Sequence, residues 1–215
     1  MFLENAEFES PQFLGPFGNQ PGSAGILLWF RQALHQRILQ ERVHSMYDWM
    51  GYTRSDYYYA CNHPNVMAMS TDDNNSIWIV SGEDYGGITD RHLIARTPLF
   101  MQSINILHNM FTNATEYERE LLSCCSHSHG GPNLEKVIQV HLELSGFENK
   151  VKRFNRVMYA VANANTTTRW AKAQWNAHAH QYIKYNDEYE AAMQNCNPQQ
   201  QLTRIVPFCP WCQLL

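Results

Sequence analysis

Charge is scarce in this sequence. Asp, Glu, Lys and Arg make up 17% of its 215 residues, and the formal net charge is −4. No basic excess points to nucleic acid, and no run of acids makes an acidic tail. Long apolar runs are missing too. The longest, GILLWF at 25–30, is far too short to span a bilayer. The opening MFLENAEFESPQF is acidic and has no basic n-region, so it does not read as a signal peptide. Cysteine is sparse, with Cys61, Cys124, Cys125, Cys196, Cys209 and Cys212 the full set. That excludes a disulfide scaffold and leaves free thiols, some of them buried, as the expectation. Apolar residues are plentiful instead. At 44% hydrophobic and 13% aromatic, the chain is long enough to bury one sizeable core. No internal repeat is visible.

Residues 1–22 are rich in Gly, Pro, Asn and Phe and read as an irregular lead-in. Ser23 then looks like an N-cap for an amphipathic helix over 26–46. YDWMGYTRSD (47–56) reads as a short strand entering a polar turn. Ile77 to Val80 reads as a second strand, followed by the acidic, glycine-rich turn SGEDYGG. A helix is expected from Thr89 or Asp90, broken near Pro98 and resumed to Phe111. NLEKVIQVHLELSG (133–146) has the pattern of a clean helix ended by Gly146. Residues 150–162 read as a strand, and the stretch from TRWAKAQW onward as one or two helices. Strands alternating with helices predict an α/β layer fold. Only about three strands emerge, which is few for such a sheet.

Three acidic positions follow strands or open helices: Asp56, the pair Glu83 and Asp84, and Asp90. Ligands of open α/β sheets sit outside the carboxyl ends of strands. Carboxylates there suit a hard divalent cation. Each acid also has a plainer reading, as a turn residue, a solvated loop or a cap. Gly86 and Gly87 let the backbone pass close to a ligand. His92 could touch a phosphate or simply bond a neighbour. Glu135 lies near a helix start, where the dipole favours an acid whatever its function.

The order of the segments YDWMGYTRSDYYYACNHP, IWIVSGEDYGGITDRHLIA, NLEKVIQVHL, VKRFNRVMYAVA and TTTRW resembles that of GT-A-type glycosyltransferases. These act in algal, viral and bacterial polysaccharide or lipopolysaccharide pathways. The resemblance covers roughly residues 20–190, and GEDYGGITDRH is its most specific part. It implies an α/β, GT-A-like three-layer fold with a mixed central sheet. The domain would run over 23–195, followed by a tail at 196–215. It also implies a nucleotide-sugar donor, a glycan or glycolipid acceptor and a Mn2+ or Mg2+ ion. By resemblance Asp56 is the metal ligand, and Arg54 replaces the first acid of the usual pair. Asp90 is the first choice for the base that deprotonates the acceptor, with Asp84 behind it. Arg54, as a phosphate contact or a brace of its turn, and Glu83, Gly86, Gly87, Arg91, His92, Arg169 and Trp170 fall among the substrate contacts. A GT-A domain begins with a strand–helix–strand unit, and nothing before residue 23 looks like one. The resemblance therefore implies a domain incomplete at its N-terminus.

Two other functions compete. One is a non-catalytic or truncated relative that binds without transferring. The other is a small zinc-binding module built from CCSHSH (124–129) and CPWC (209–212), although CCSHSH fits no usual structural zinc pattern and CPWC, which has redox or zinc spacing, has no second CxxC to complete a site. A terminal tail forming an opportunistic disulfide is the plainer reading of CPWC. NAT (113–115) and NTT (165–167) are glycosylation tripeptides that matter only on a secretory route. The cytoplasm is the expected compartment, and the Golgi lumen is the alternative if an anchor precedes the chain.

Overall fold

The computed structural model describes residues 24–70, 75–125, 132–167 and 172–197. In chain order these form α1 (Ala24–Gln40), β1 (Trp49–Thr53), β2 (Tyr57–Tyr59), α2 (Val66–Ser70), β3 (Ile77–Val80), β4 (His92–Arg96), α3 (Thr97–Ile104), α4 (Ile106–Thr112), α5 (Ala114–Cys125), α6 (Leu134–Leu144), β5 (Val151–Phe154), β6 (Met158–Ala162), β7 (Gln174–Asn176), β8 (Gln181–Ile183) and α7 (Asn186–Asn195). The fold class is mixed α/β. The chain divides into two compact units, one of residues 1–52 and 74–152 and the other of 53–73 and 153–215. No helix among the described residues is long and apolar enough to cross a membrane.

The first unit is built on a sheet of order β1-β4-β3-β5. β3 and β4 pair antiparallel, with Trp78 opposite Ile94 and Ile79 opposite Leu93. This corrects the helix expected from Thr89 or Asp90. His92–Ala95 is buried at every position, and such a strand reads as an unbroken apolar run without alternation. The helix begins only at Thr97, and Pro98 sits in its first turn. Proline fits there because the first N–H groups of a helix have no partner to lose. Pro98 thus starts a helix where the sequence reading had it interrupt one. α1 ends at Gln40, short of the expected residue 46, and buries Leu28, Arg31 and Ile38 along one stripe. α6 fits its expectation closely. The Asn133 side chain accepts from the Lys136 N–H at its start, and Gly146 takes φ +70° beyond its end.

One polar side chain lies deep in this unit. His141 on α6 is completely buried. Its Nε2 donates to the Gln102 carbonyl at 2.9 Å, since a carbonyl can only accept. Its Nδ1 is then the acceptor for the Tyr117 hydroxyl at 2.6 Å. Burial is the chief force holding the imidazole neutral, and it lowers the pKa from 6.5 to about 4. The unfolded chain therefore binds a proton that the folded chain refuses. Stability from this group is complete above pH 6.5 and is lost as pH falls toward 4. The whole span amounts to about 3 kcal/mol. Urea unfolding across that range is expected to show the decline, and His141→Gln should flatten it. A decline of the same size in the variant would assign the acid sensitivity elsewhere.

The second unit carries the sheet β2-β6-β8-β7, with all three pairings antiparallel. The stretch expected as one strand over 150–162 is two, β5 and β6, separated by Asn155-Arg156-Val157. The region expected as terminal helices holds a hairpin before α7. Its turn is made by Asn176, whose Oδ1 accepts from the N–H groups of His178 and Ala179. Trp175 and Tyr182 face each other across it, ring centroids 5.2 Å apart. Tyr159, Ile183 and Ala192 form one buried cluster of this unit, and Met158 and Ala160 are fully buried as well. Cys61 and Cys196 are joined in a disulfide, and Cys124 in the first unit is disulfide-bonded as well. The expectation of free thiols fails at these positions. No local signal could reveal the Cys61–Cys196 pairing, because 135 residues separate the partners.

Candidate active site

The connection between β3 and β4, residues 81–91, gathers more charge than any other loop of the first unit. Its backbone is left-handed at Gly82, Glu83, Tyr85 and Gly86, with φ between 44° and 89°. Glycine adopts this region freely, but Glu and Tyr do so at a cost, and such residues concentrate at functional sites. Asp84 builds the turn. Its carbonyl accepts from the Gly87 N–H at 2.7 Å and its carboxylate from the Thr89 N–H at 3.1 Å. The loop then docks on the start of α6, where the Ile88 N–H donates to the Glu135 carbonyl at 2.9 Å. Gly87 makes that approach possible. A Cβ there would stand 2.3 Å from the Glu135 carbonyl.

Arg91 organises the side chains. Its Nη1 lies 2.5 Å from a Glu83 carboxylate oxygen and its Nε 3.9 Å from an Asp90 oxygen. The Tyr85 hydroxyl donates to the same Glu83 oxygen at 3.0 Å. Arg31 reaches in from α1. Its Nη2 donates to the Tyr52 hydroxyl at 2.7 Å and to the Asp90 backbone carbonyl at 2.8 Å. Burial pushes the Tyr52 hydroxyl pKa up; Arg31 opposes this and Asp90 adds to it. Burial also raises the Glu135 carboxyl, and the Asp90 carboxylate adds to that shift against a backbone hydrogen bond, Arg91 and Arg31. Asp90 itself is 13% exposed at its side chain, open enough to meet a ligand and sheltered enough to act strongly on one.

The site is therefore a turn bearing Glu83 and Asp90, backed by Glu135 and held by two arginines. Neighbouring carboxyl groups in unlike surroundings are what proton transfer requires. The sequence reading placed Glu83, Asp84, Gly86, Gly87, Asp90 and Arg91 here, and all lie on this loop. Arg31 and Tyr52 it missed, and Glu135 it took for a dipole-favoured acid only. Asp90, Arg91 and His92 are not on a helix, contrary to expectation. His92 opens β4 and is buried. Arg169 and Trp170 lie outside the described residues, as do Ser23, 126–131 of the CCSHSH region and CPWC.

Asp56 lies in the second unit, at the turn before β2. Arg54 grips it with a two-pronged pair, Nε to Oδ1 at 2.7 Å and Nη2 to Oδ2 at 2.6 Å. Lys184 adds a second cation at 3.6 Å. Burial alone would raise the Asp56 pKa, but Arg54 and Lys184 outweigh it and hold the carboxyl below its usual range. One carboxylate with both oxygens engaged by two cations is a poor fit for a divalent metal, which needs several oxygen donors. No cluster of three His, Cys, Asp or Glu side chains suited to a metal occurs among the described residues. Arg54 and Asp56 read as the brace of the β1–β2 turn.

Against protein-family models, curated proteins and solved structures, the chain gives no match in any of the three.

Proposed function

We propose that the protein is a glycosyltransferase of the GT-A kind, transferring a sugar from a nucleotide-sugar donor to a hydroxyl of a glycan or glycolipid. The observation that supports this most is the 81–91 loop, which holds Asp90 3.9 Å from Arg91 and within electrostatic reach of Glu135. The resemblance of GEDYGGITDRH to the acceptor-side turn of such enzymes rests on the same residues.

In this reading the acceptor oxygen attacks the anomeric carbon in line with the departing diphosphate. The carbon–oxygen bond to the diphosphate breaks, and its electron pair leaves with the nucleotide. Asp90 takes the acceptor's proton as the new bond forms. Arg91 is a positioning residue that steadies Asp90 and Glu83. Mn2+ or Mg2+ belongs to the resemblance, but no step here passes through Asp56, whose surroundings do not fit the ion. A binding relative without transfer is the alternative.

Thermal unfolding with UDP-, GDP- and CMP-sugars, with and without Mn2+, separates donor binding from none. A donor at a hundred times its Kd adds about 2.7 kcal/mol to the folded state. For a chain of this size that raises Tm by roughly 5–10 °C. One nucleotide class is expected to give the shift, and Asp56→Asn should retain it. A flat response to every donor would overturn the assignment.

A further inference from the structure

The Cys61–Cys196 bridge and the bonded state of Cys124 carry information about where the chain folds. Structural disulfides persist in oxidising compartments and are rare where thiols are kept reduced. The secretory lumen is one such compartment, and there Asn-X-Ser/Thr tripeptides are acceptors for glycans.

Two such tripeptides fall on exposed turns. Asn113-Ala114-Thr115 stands at the junction of α4 and α5, and residues 111–116 are exposed throughout. The Asn113 main chain is fully used, its N–H donating to the Asn109 carbonyl and its carbonyl accepting from Glu116 and Tyr117. Its side-chain amide reaches only Thr112 Oγ1, at 3.5 Å. A glycan on that nitrogen would displace no packed group. Asn165-Thr166-Thr167 lies in the turn after β6, where the Thr166 N–H donates to the Asn163 carbonyl. Asn163, Ala164 and Asn165 are all exposed. A third tripeptide, Asn74-Asn75-Ser76, has its asparagine outside the described residues and its serine buried. It is not part of the assignment.

We propose that the chain matures in an oxidising, glycosylating compartment and carries N-linked glycans at Asn113 and Asn165. The disulfides call for an oxidising environment, and the two exposed tripeptides are acceptors that such a route could use. The assignment holds whether or not the protein transfers sugar.

The test is made on the full chain isolated from the cells that naturally produce it. The protein is treated with peptide N-glycosidase in heavy-oxygen water and its peptides are sequenced by mass spectrometry. Both asparagines are expected to return as labelled aspartate. In the same cells Asn113→Gln and Asn165→Gln should each remove one step of the gel shift. If a glutamine variant fails to accumulate, Thr115→Ala and Thr167→Ala remove the same acceptors. Recovery of both peptides unmodified before enzyme treatment would overturn the proposal, and recovery of one would overturn that site. Cys61 and Cys196 recovered as free thiols would remove its premise.

Discussion

Asp90→Asn is expected to lower sugar transfer by about 10²- to 10⁴-fold, the usual contribution of a positioned general base. The change is nearly isosteric. It keeps the Asp90 backbone carbonyl that receives Arg31 and the close Arg91–Glu83 pair, and removes only the more distant carboxylate charge, 3.9 Å from Arg91. The fold and donor binding should therefore survive. The loss should appear in turnover, with the donor-induced Tm shift unchanged, because a base acts in the transition state more than in the bound complex. The variant also removes a carboxylate that raises Glu135, so the Glu135 carboxyl should titrate at lower pH. A carboxyl-resolved NMR titration would read that change even without turnover. Equal transfer by the two proteins would take the base role from Asp90.

Glu188→Ala should cost the second unit about 3–5 kcal/mol, enough to unfold it in mild denaturant. Glu188 lies in the first turn of α7, where the helix dipole favours an acid, yet its side chain is fully buried. It accepts from the Ala160 N–H at 2.8 Å and faces Arg156 at 3.6 Å. Arg156 is 3% exposed, and among the described residues its Nη2 has no hydrogen-bond partner. Removing the carboxylate leaves a buried cation against neutral acceptors, the Tyr57 hydroxyl and the Met158 carbonyl, each at 3.5 Å, and strands a strand amide. Glu188→Gln combined with Arg156→Met keeps the acceptor and removes both charges, so it should regain most of the loss. A single variant as stable as the parent by urea titration would show that water reaches Arg156.

What the sequence revealed and what it hid divide along the distance between residues. Glu83, Asp84, Gly86, Gly87, Asp90 and Arg91 are neighbours in the chain, so their grouping in one turn was legible. Arg31, Tyr52 and Glu135 reach the same place from α1, β1 and α6, and only the packing of the first unit unites them. α6 was legible because cap, apolar stripe and terminal glycine agree. β4 was not, because HLIA is buried on both faces and so shows no alternation of apolar and polar residues. The β7–β8 hairpin escaped because its turn uses Asn176 and a left-handed His180 in place of the usual Asn-Gly. Asp56 is read as a ligand by resemblance alone; Arg54 stands two positions before it, but Lys184 comes from 128 positions further on, the difference between the two residue numbers, and only folding brings it near.

The most direct test of the central claim is product formation by the purified chain. A labelled nucleotide-sugar of the class that raises Tm would be incubated with a glycan acceptor, and the product counted for the parent and for Asp90→Asn. Labelled glycan from the parent, falling at least a hundredfold in the variant, is the result this reading requires. Tight donor binding with no labelled product from the parent, across glycan and glycolipid acceptors, would contradict it and leave the loop a binding site.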